Sequence, residues 1–403
     1  MDVHRDFCEV AISEGGKARL AGRVKAQPAA LELFAQSLGG DDRVVLEATG
    51  NAVAIARILA PHVSEVVLAH SRKVRAIAEA KVKTDAVDAC TLAELLAADL
   101  VPRVWVGDER TRLLRRLVSR RRQLVKQSTR TKNEISAVLL RNLKGKPPMT
   151  DIFGTAGRAW LATLELGIDE RETVDAGLRQ LDFVRAEIGR VDQTIAEQAI
   201  GWPEIRRLMT IPGVDVTTAA ALMAAIGDIA RFPTPRHLVG YLGLDPRLRQ
   251  SGVAKPRRGR ISKEGSAAAR HALTEAAWSA TRGPGPLRAF AERVGARRGR
   301  HVAAVAVARK LVVLAWHLLT RGEDYAYQRP TLVRRKLRRL ELMTGAPHAK
   351  RQPGPTTPRR TQRQLEADLA RQAELAYRRL VTDWQRSKPQ PQASDEGAVA
   401  SGT

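Results

Sequence analysis

Cysteine is nearly absent from this chain of 403 residues: Cys8 and Cys90 are the only two, and neither sits in metal-ligand spacing. That excludes a disulfide framework and predicts two reduced thiols and no zinc site. Long apolar runs are missing too. The best, Val302 to Leu319, is interrupted by Arg309 and Lys310, so no membrane partner is expected. No secretory signal opens the chain, and the expected location is the cytoplasm. Acidic residues are few beside basic ones, 43 Asp and Glu against 68 Lys and Arg, for a formal net charge of +25. Such an excess points to a polyanion, with nucleic acid as the default partner. A GC-rich genome also enriches Arg and Ala, so charge alone leaves that second explanation open.

The length allows two or three domains with sizeable cores. In residues 1–104 short apolar runs alternate with helical ones. Phe7 to Ile12 and Ala18 to Val24 read as strands joined by a turn at Gly15-Gly16, and Pro28 starts a helix to Leu38. Arg43 to Glu47 reads as a strand, Asn51 to Leu59 as a helix, Glu65 to Ala69 as a strand and Ser71 to Ala80 as a basic helix. Lys83-Thr-Asp-Ala-Val-Asp88 then opens a helix to about Leu100, with Thr84 as its N-cap. A hairpin followed by strands alternating with helices predicts an α/β domain with a mixed sheet.

Four acids in this region stand out. Helical spacing places Asp85 and Asp88 on the stripe that should face the core, where two like charges repel and lose hydration unless a cation compensates. Glu47 ends an apolar strand, the end at which α/β folds hold their ligands, and Asp2 begins the first strand. Singly, each reads as a capping or surface residue. Together, Asp2, Glu47, Asp85 and Asp88 would bring oxygen ligands to one sheet edge, a donor set suited to Mg²⁺ or Mn²⁺.

Residues 105–201 read as a basic helical region. Arg110 to Leu143 carries Leu113, Leu117, Leu124, Ile135, Val138 and Leu139 on one side. Its other side carries a basic row that includes Arg120, Arg121, Lys126 and Arg130, placed to track phosphates or simply to be solvated. Val174 to Ile200 repeats apolar residues as a coiled-coil seam through Leu178, Leu181, Val184, Ile188, Val191 and Ile195; it would pack within the monomer or join two protomers. In residues 202–325, Ile211-Pro-Gly-Val214 is either a phosphate-holding turn or a structural one. Next comes a cationic loop with Arg249, Ser251, Lys255, Arg257, Arg258, Arg260 and Lys263. Ser251 would meet a phosphodiester there, but a hydroxyl needs a base or a metal to become a nucleophile. Val302 to Leu319 reads as a buried helix. Residues 326–403 read as a basic, Pro- and Arg-rich, partly disordered tail with an amphipathic helix from Gln362 to Trp384.

Asp2-Val-His-Arg-Asp-Phe, Leu46-Glu-Ala-Thr-Gly50, Lys83-Thr-Asp-Ala-Val-Asp-Ala89, Ile211-Pro-Gly-Val, Gly240-Tyr-Leu-Gly-Leu, Gln250-Ser-Gly252 and Gly259-Arg-Ile-Ser-Lys-Glu-Gly265 together resemble the DEDD transposases of the insertion sequence 110 family, with the pilin-gene invertases as relatives. The resemblance implies an RNase H-like (RuvC-like) first domain whose Asp2, Glu47, Asp85 and Asp88 hold Mg²⁺. A coiled-coil assembly region and a mainly α transposase domain with Ser251 as nucleophile would follow. It implies a covalent phosphoserine intermediate on DNA, active halves drawn from different protomers of a dimer or tetramer, and guidance by a bridge noncoding RNA that pairs with donor and target DNA. The enzyme would be nucleoid-associated when active. A chain this rich in Arg, with only 4% aromatics, fits a protein that leaves sequence choice to RNA pairing. In the family an apolar strand precedes the first Asp, and here only Met1 does, so Asp2 is expected on a fraying terminus with the natural start upstream. The competing expectations are a metal-dependent nuclease or junction resolvase in which water attacks, and an inactive nucleic-acid-binding remnant.

Overall fold

A computed structural model describes residues 1–77, 84–252, 256–347 and 359–387. The chain forms two compact units, Met1–Asp108 and Glu109–Thr403.

The first unit begins with three antiparallel strands, β1 (Asp2–Val3), β2 (Phe7–Glu14) and β3 (Lys17–Lys25). The β2–β3 turn needs Gly15 and Gly16, whose φ angles of 59° and 83° lie in the left-handed region. After α1 (Pro28–Gln36), β4 (Arg43–Glu47) and β5 (Glu65–Ala69) pair in parallel through the crossover helix α2 (Ala52–Leu59). Helices α3 (Ser71–Ile77) and α4 (Asp85–Ala97) follow. Residues 78–80 of the expected basic helix, and Lys83, lie outside the described residues.

Successive residues of β4 point to opposite faces, so two apolar layers flank the strands. Val44 and Leu46 join Leu31, Ile55 and Leu59 on one side; Val45 joins Val67, Leu92 and Leu96 on the other. The expected mixed sheet is divided into a three-stranded antiparallel sheet and a parallel pair, because β1 is only two residues long. The two meet where the Met1 ammonium donates to Val45 O at 2.7 Å. Asp2 therefore does not fray: it is 5% exposed, and burial pushes the neighbouring ammonium down to about 6.

In the second unit α5 (Glu109–Arg141) and α7 (Ile168–Ala199) form an antiparallel hairpin, with α6 (Thr155–Thr163) between them. The pairs Arg141–Glu170, Thr131–Gln180 and Arg121–Asp192 fix the direction. Leu181, Val184 and Ile195 of the expected seam are buried within this chain, packed with residues of α5 and neighbouring helices. On α5 the buried apolar residues of the first turns are Leu114 and Val118, while Leu113 and Leu117 flank them half-buried. The core continues through α8 (Pro203–Leu208), α9 (Val216–Ile226), α10 (Pro235–Tyr241), a hairpin of β6 (Pro246–Arg249) and β7 (Arg257–Ile261), α11 (Ala267–Ala280), α12 (Pro286–Arg298) and α13 (Arg300–Arg321). Among the described residues α13 is the one helix long and apolar enough to cross a membrane, and half of its apolar window is buried in this core.

The basic C-terminal stretch is not a loose tail over its described part. Helix α14 (Pro330–Met343) buries Leu340, and α15 (Arg359–Arg386) buries Glu374 against Gly285 N and Arg288. Residues 348–358 and everything from Lys388 lie outside the described residues. On α14, Lys336 donates to Met209 O and Ile211 O at 2.7 and 2.8 Å, and burial lowers its ammonium to about 8. The unfolded value is 10.5, so between about pH 8 and 10.5 the folded amine is neutral while the unfolded one still binds its proton. Stability should therefore rise with pH across that window. Lys336→Met should lack this rise, losing about 3 kcal/mol of pH dependence in urea titrations that compare the two proteins.

Candidate active site

In the first unit β1, β4 and α4 meet, and Asp2, Glu47 and Asp85 stand on them. Thr84 caps α4 as expected, its Oγ1 accepting from Val87 N at 3.2 Å, which fixes Asp85 in the first turn. Asp2 is buried, and its carboxyl lies within hydrogen-bond reach of Glu47. Burial and that contact raise its pKa, with His4 opposing. His4 Nε2 stands 3.1 Å from Asp2 Oδ2 and 3.3 Å from Asp85 Oδ2. One ligand atom from each of Asp2, His4 and Asp85 falls within 4.8 Å of the others.

Three of the four expected acids, Asp2, Glu47 and Asp85, are thus gathered. Asp88 sits one turn further along α4, half-buried and outside that group. Nor do the helix acids sit in the core: the Asp85 side chain is 43% exposed, because the apolar face of α4 begins only at Ala89. An acid pressed against another acid, with a ring nitrogen between two carboxylates, is a donor set that a divalent cation would satisfy.

His4 is absent from the acids singled out by sequence, although the signal was there. In an extended segment residues i and i+2 share a face, which aligns His4 with Asp2. The structure holds it firmly: Asn51 Nδ2 donates to His4 O at 2.8 Å, and the ring stacks on Phe7 at 4.7 Å.

Ser251 belongs to the second unit, where the expected cationic loop is the β6–β7 hairpin and the serine lies in its connection. The serine is exposed and makes no hydrogen bond among the described residues. Arg249 and Arg257 are directly opposed across the ladder, so two like charges share one face. Arg260 and Lys263 are exposed; Lys255 and the side chain of Arg258 lie outside the described residues.

The base of the hairpin is clamped by glycines. A Cβ on Gly243 would stand 1.9 Å from Glu264 O, and one on Gly265 would stand 2.0 Å from Tyr241 O. Ser262 N and Oγ donate to Asp245 O and Oδ1, each at 2.8 Å, and Arg270 donates to Leu242 O and Glu264 O, each at 3.0 Å. In Ile211-Pro-Gly-Val214, Gly213 is set by packing: a Cβ there would meet Ala276 O of α11 at 2.4 Å.

Of the basic residues on α5, Arg121 is committed to an ion pair with Asp192, which withdraws it from phosphate contact. Arg120 stands 4.0 Å from Glu187, while Lys126 and Arg130 are exposed without an ion pair among the described residues.

Comparison with known sequences places both regions. A profile described as Transposase IS116/IS110/IS902 family matches residues 205–292, and one described as Transposase matches residues 1–142. A Sinorhizobium fredii protein named as transposase y4qE is 31% identical over 49% of this chain and 48% of its own length. The transposase for insertion sequence element IS1111A of Coxiella burnetii is 34% identical over 34% of this chain and 39% of its own. A pilin gene-inverting protein of Moraxella bovis is 30% identical over 29% of this chain and 37% of its own. The matches therefore span about half of these relatives' lengths or less. The acidic cluster falls inside the first matched region and the Ser251 hairpin inside the second, and the chain belongs to the IS116/IS110/IS902 family of transposases.

Proposed function

We propose that this chain is a DNA transposase and recombinase whose first unit is an RNase H-like metal domain and whose second carries the nucleophile. The observation that supports the reading best is the convergence of Asp2, His4 and Asp85, with Glu47 against Asp2. Asp2, Glu47 and Asp85, with Asp88 one turn away, would hold Mg²⁺ or Mn²⁺. When bound, the metal would stabilise charge on the transferring phosphoryl group and lower the pKa of the attacking hydroxyl.

Ser251 has no hydrogen-bonding base beside it among the described residues, and in this reading its activation comes from an acidic cluster supplied by another protomer of a dimer or tetramer. Its Oγ bonds to phosphorus as one sugar oxygen departs; the serine proton passes to water, and the sugar oxygen takes one up to leave as a hydroxyl. Attack by a hydroxyl of a second strand reverses these steps and frees the serine. Arg249 and Arg257, which repel each other across the ladder, gain a shared anionic partner when the phosphate arrives. The sequence of donor and target DNA would be chosen by a bridge RNA, with the protein contacting backbone and shape.

The test combines the protein with Mg²⁺, the noncoding RNA flanking its gene and labelled donor DNA on a denaturing gel. A DNA–protein adduct is expected, and it should vanish in both Ser251→Ala and Asp85→Ala. Cleavage that survives Ser251→Ala would replace this reading with a nuclease that activates water. Binding without breakage in the unaltered protein would leave a nucleic-acid-binding remnant.

A further inference from the structure

A cavity of about 640 Å³ lies within the second unit, between α5, the start of α9 and α11. Its floor is apolar and built largely from small residues: Val118, Val125, Ala221, Ala268 and Ala272. Along one rim Arg122, Lys126 and Arg130 recur every four residues of α5, a rise of about 6 Å per step. That step is close to the distance between successive phosphates of a nucleic-acid strand.

None of the three has an ion-pair partner among the described residues, whereas Arg121, beside them, is neutralised by Asp192. Arg122 also presses on Arg270, whose guanidinium is lowered first by burial and then by that like charge. The opposite wall presents His271 and Glu275 one turn apart on α11. Asp215, also at the edge, is occupied: its Oδ1 caps α9 by accepting from Thr218 N at 2.9 Å and Thr217 Oγ1 at 3.0 Å.

A small apolar chamber, a row of unpaired cations and two side chains able to meet hydrogen-bonding edges fit one kind of ligand. We propose that this groove takes an unstacked base of a nucleic-acid strand whose phosphates run along Arg122, Lys126 and Arg130. The volume is in the range of small-ligand sites, and a base buries its faces against the Val and Ala floor while His271 and Glu275 meet its edge. The proposal rests on the reading that the chain handles nucleic acid, but it uses neither Ser251 nor the acidic cluster.

The test is fluorescence anisotropy with single strands of about twelve nucleotides, as DNA and as RNA, against wholly abasic strands of the same length, in chelator. The intact strand should bind roughly tenfold tighter than the abasic one. Ala272→Leu, which fills the chamber, should narrow that difference, and the double variant Lys126→Ala/Arg130→Ala should flatten the logarithmic salt dependence by about 1.4. The last two are exposed side chains, so the fold should survive their loss. An effect in either arm supports the groove and identifies the strand it holds. Equal affinity for intact and abasic strands, or an unchanged salt slope in the double variant, would overturn it. Because the assay contains no metal and needs no adduct, the groove can fail while the proposed chemistry stands, and the reverse.

Discussion

Asp2→Asn should make the metal-free protein more stable and at the same time remove strand breakage by roughly a thousandfold. The two effects share a cause. Asp2 is buried against Glu47, and both that contact and the loss of hydration disfavour its charged form. His4 Nε2 at 3.1 Å offsets only part of this. An asparagine keeps the shape and an oxygen for His4 while deleting the charge, so in chelator the variant should gain about 1 kcal/mol, seen as a melting temperature about 4 °C higher. Adding Mg²⁺ should raise the melting temperature of the unaltered protein and leave the variant nearly unmoved, because the stabilisation comes from binding to the folded cluster. If the variant instead melts lower in chelator, the cluster is already balanced without a cation and the metal reading loses its support.

Most regular elements of the first unit and the long helices of the second were legible in the sequence because each has a clean local signal. β4 is a short apolar run from Arg43 to Glu47, α2 ends at Leu59, and Thr84, itself extended, caps α4, as spacing and capping suggest. What remained hidden was set by partners rather than by local pattern. Helix α5 runs for 33 residues against α9 at one end and α7 along most of its length, so no single stripe describes it. Leu114 and Val118 therefore go to the core where a uniform period favours Leu113 and Leu117. Arg121 looks like its basic neighbours until Asp192 is found across the hairpin, 71 residues away. The C-terminal helices looked solvated because their composition is polar, yet they dock through buried polar contacts such as Glu374 with Gly285 N. His4 has only one signal in the sequence, its position two residues from Asp2, which puts the pair on one face of an extended segment.

The largest effect expected on the fold comes from Gly243→Ala, and Gly240→Ala, three residues earlier in the same motif, is its control. Gly243 has φ of 68°, a conformation that is costly for alanine. The added Cβ would also stand 1.9 Å from Glu264 O, a backbone atom that cannot swing aside. Strain and overlap together should cost about 4 kcal/mol, a large share of the margin of a folded domain. Gly265→Ala should behave alike, since its φ is 86° and its Cβ would meet Tyr241 O at 2.0 Å. Gly240 lies inside α10 with no atom nearer its Cβ than Asp245 Oδ2 at 4.0 Å, so alanine there should be neutral or stabilising by about 0.5 kcal/mol. Urea unfolding of the three variants measures this contrast directly. The clamp also carries the hairpin, so Gly243→Ala should lose adduct formation through Ser251 while metal binding by the first unit, which contains none of these residues, stays unchanged. If Gly243→Ala and Gly240→Ala prove equally stable, the hairpin base is not held by close backbone contact, and the glycines of this motif need another explanation.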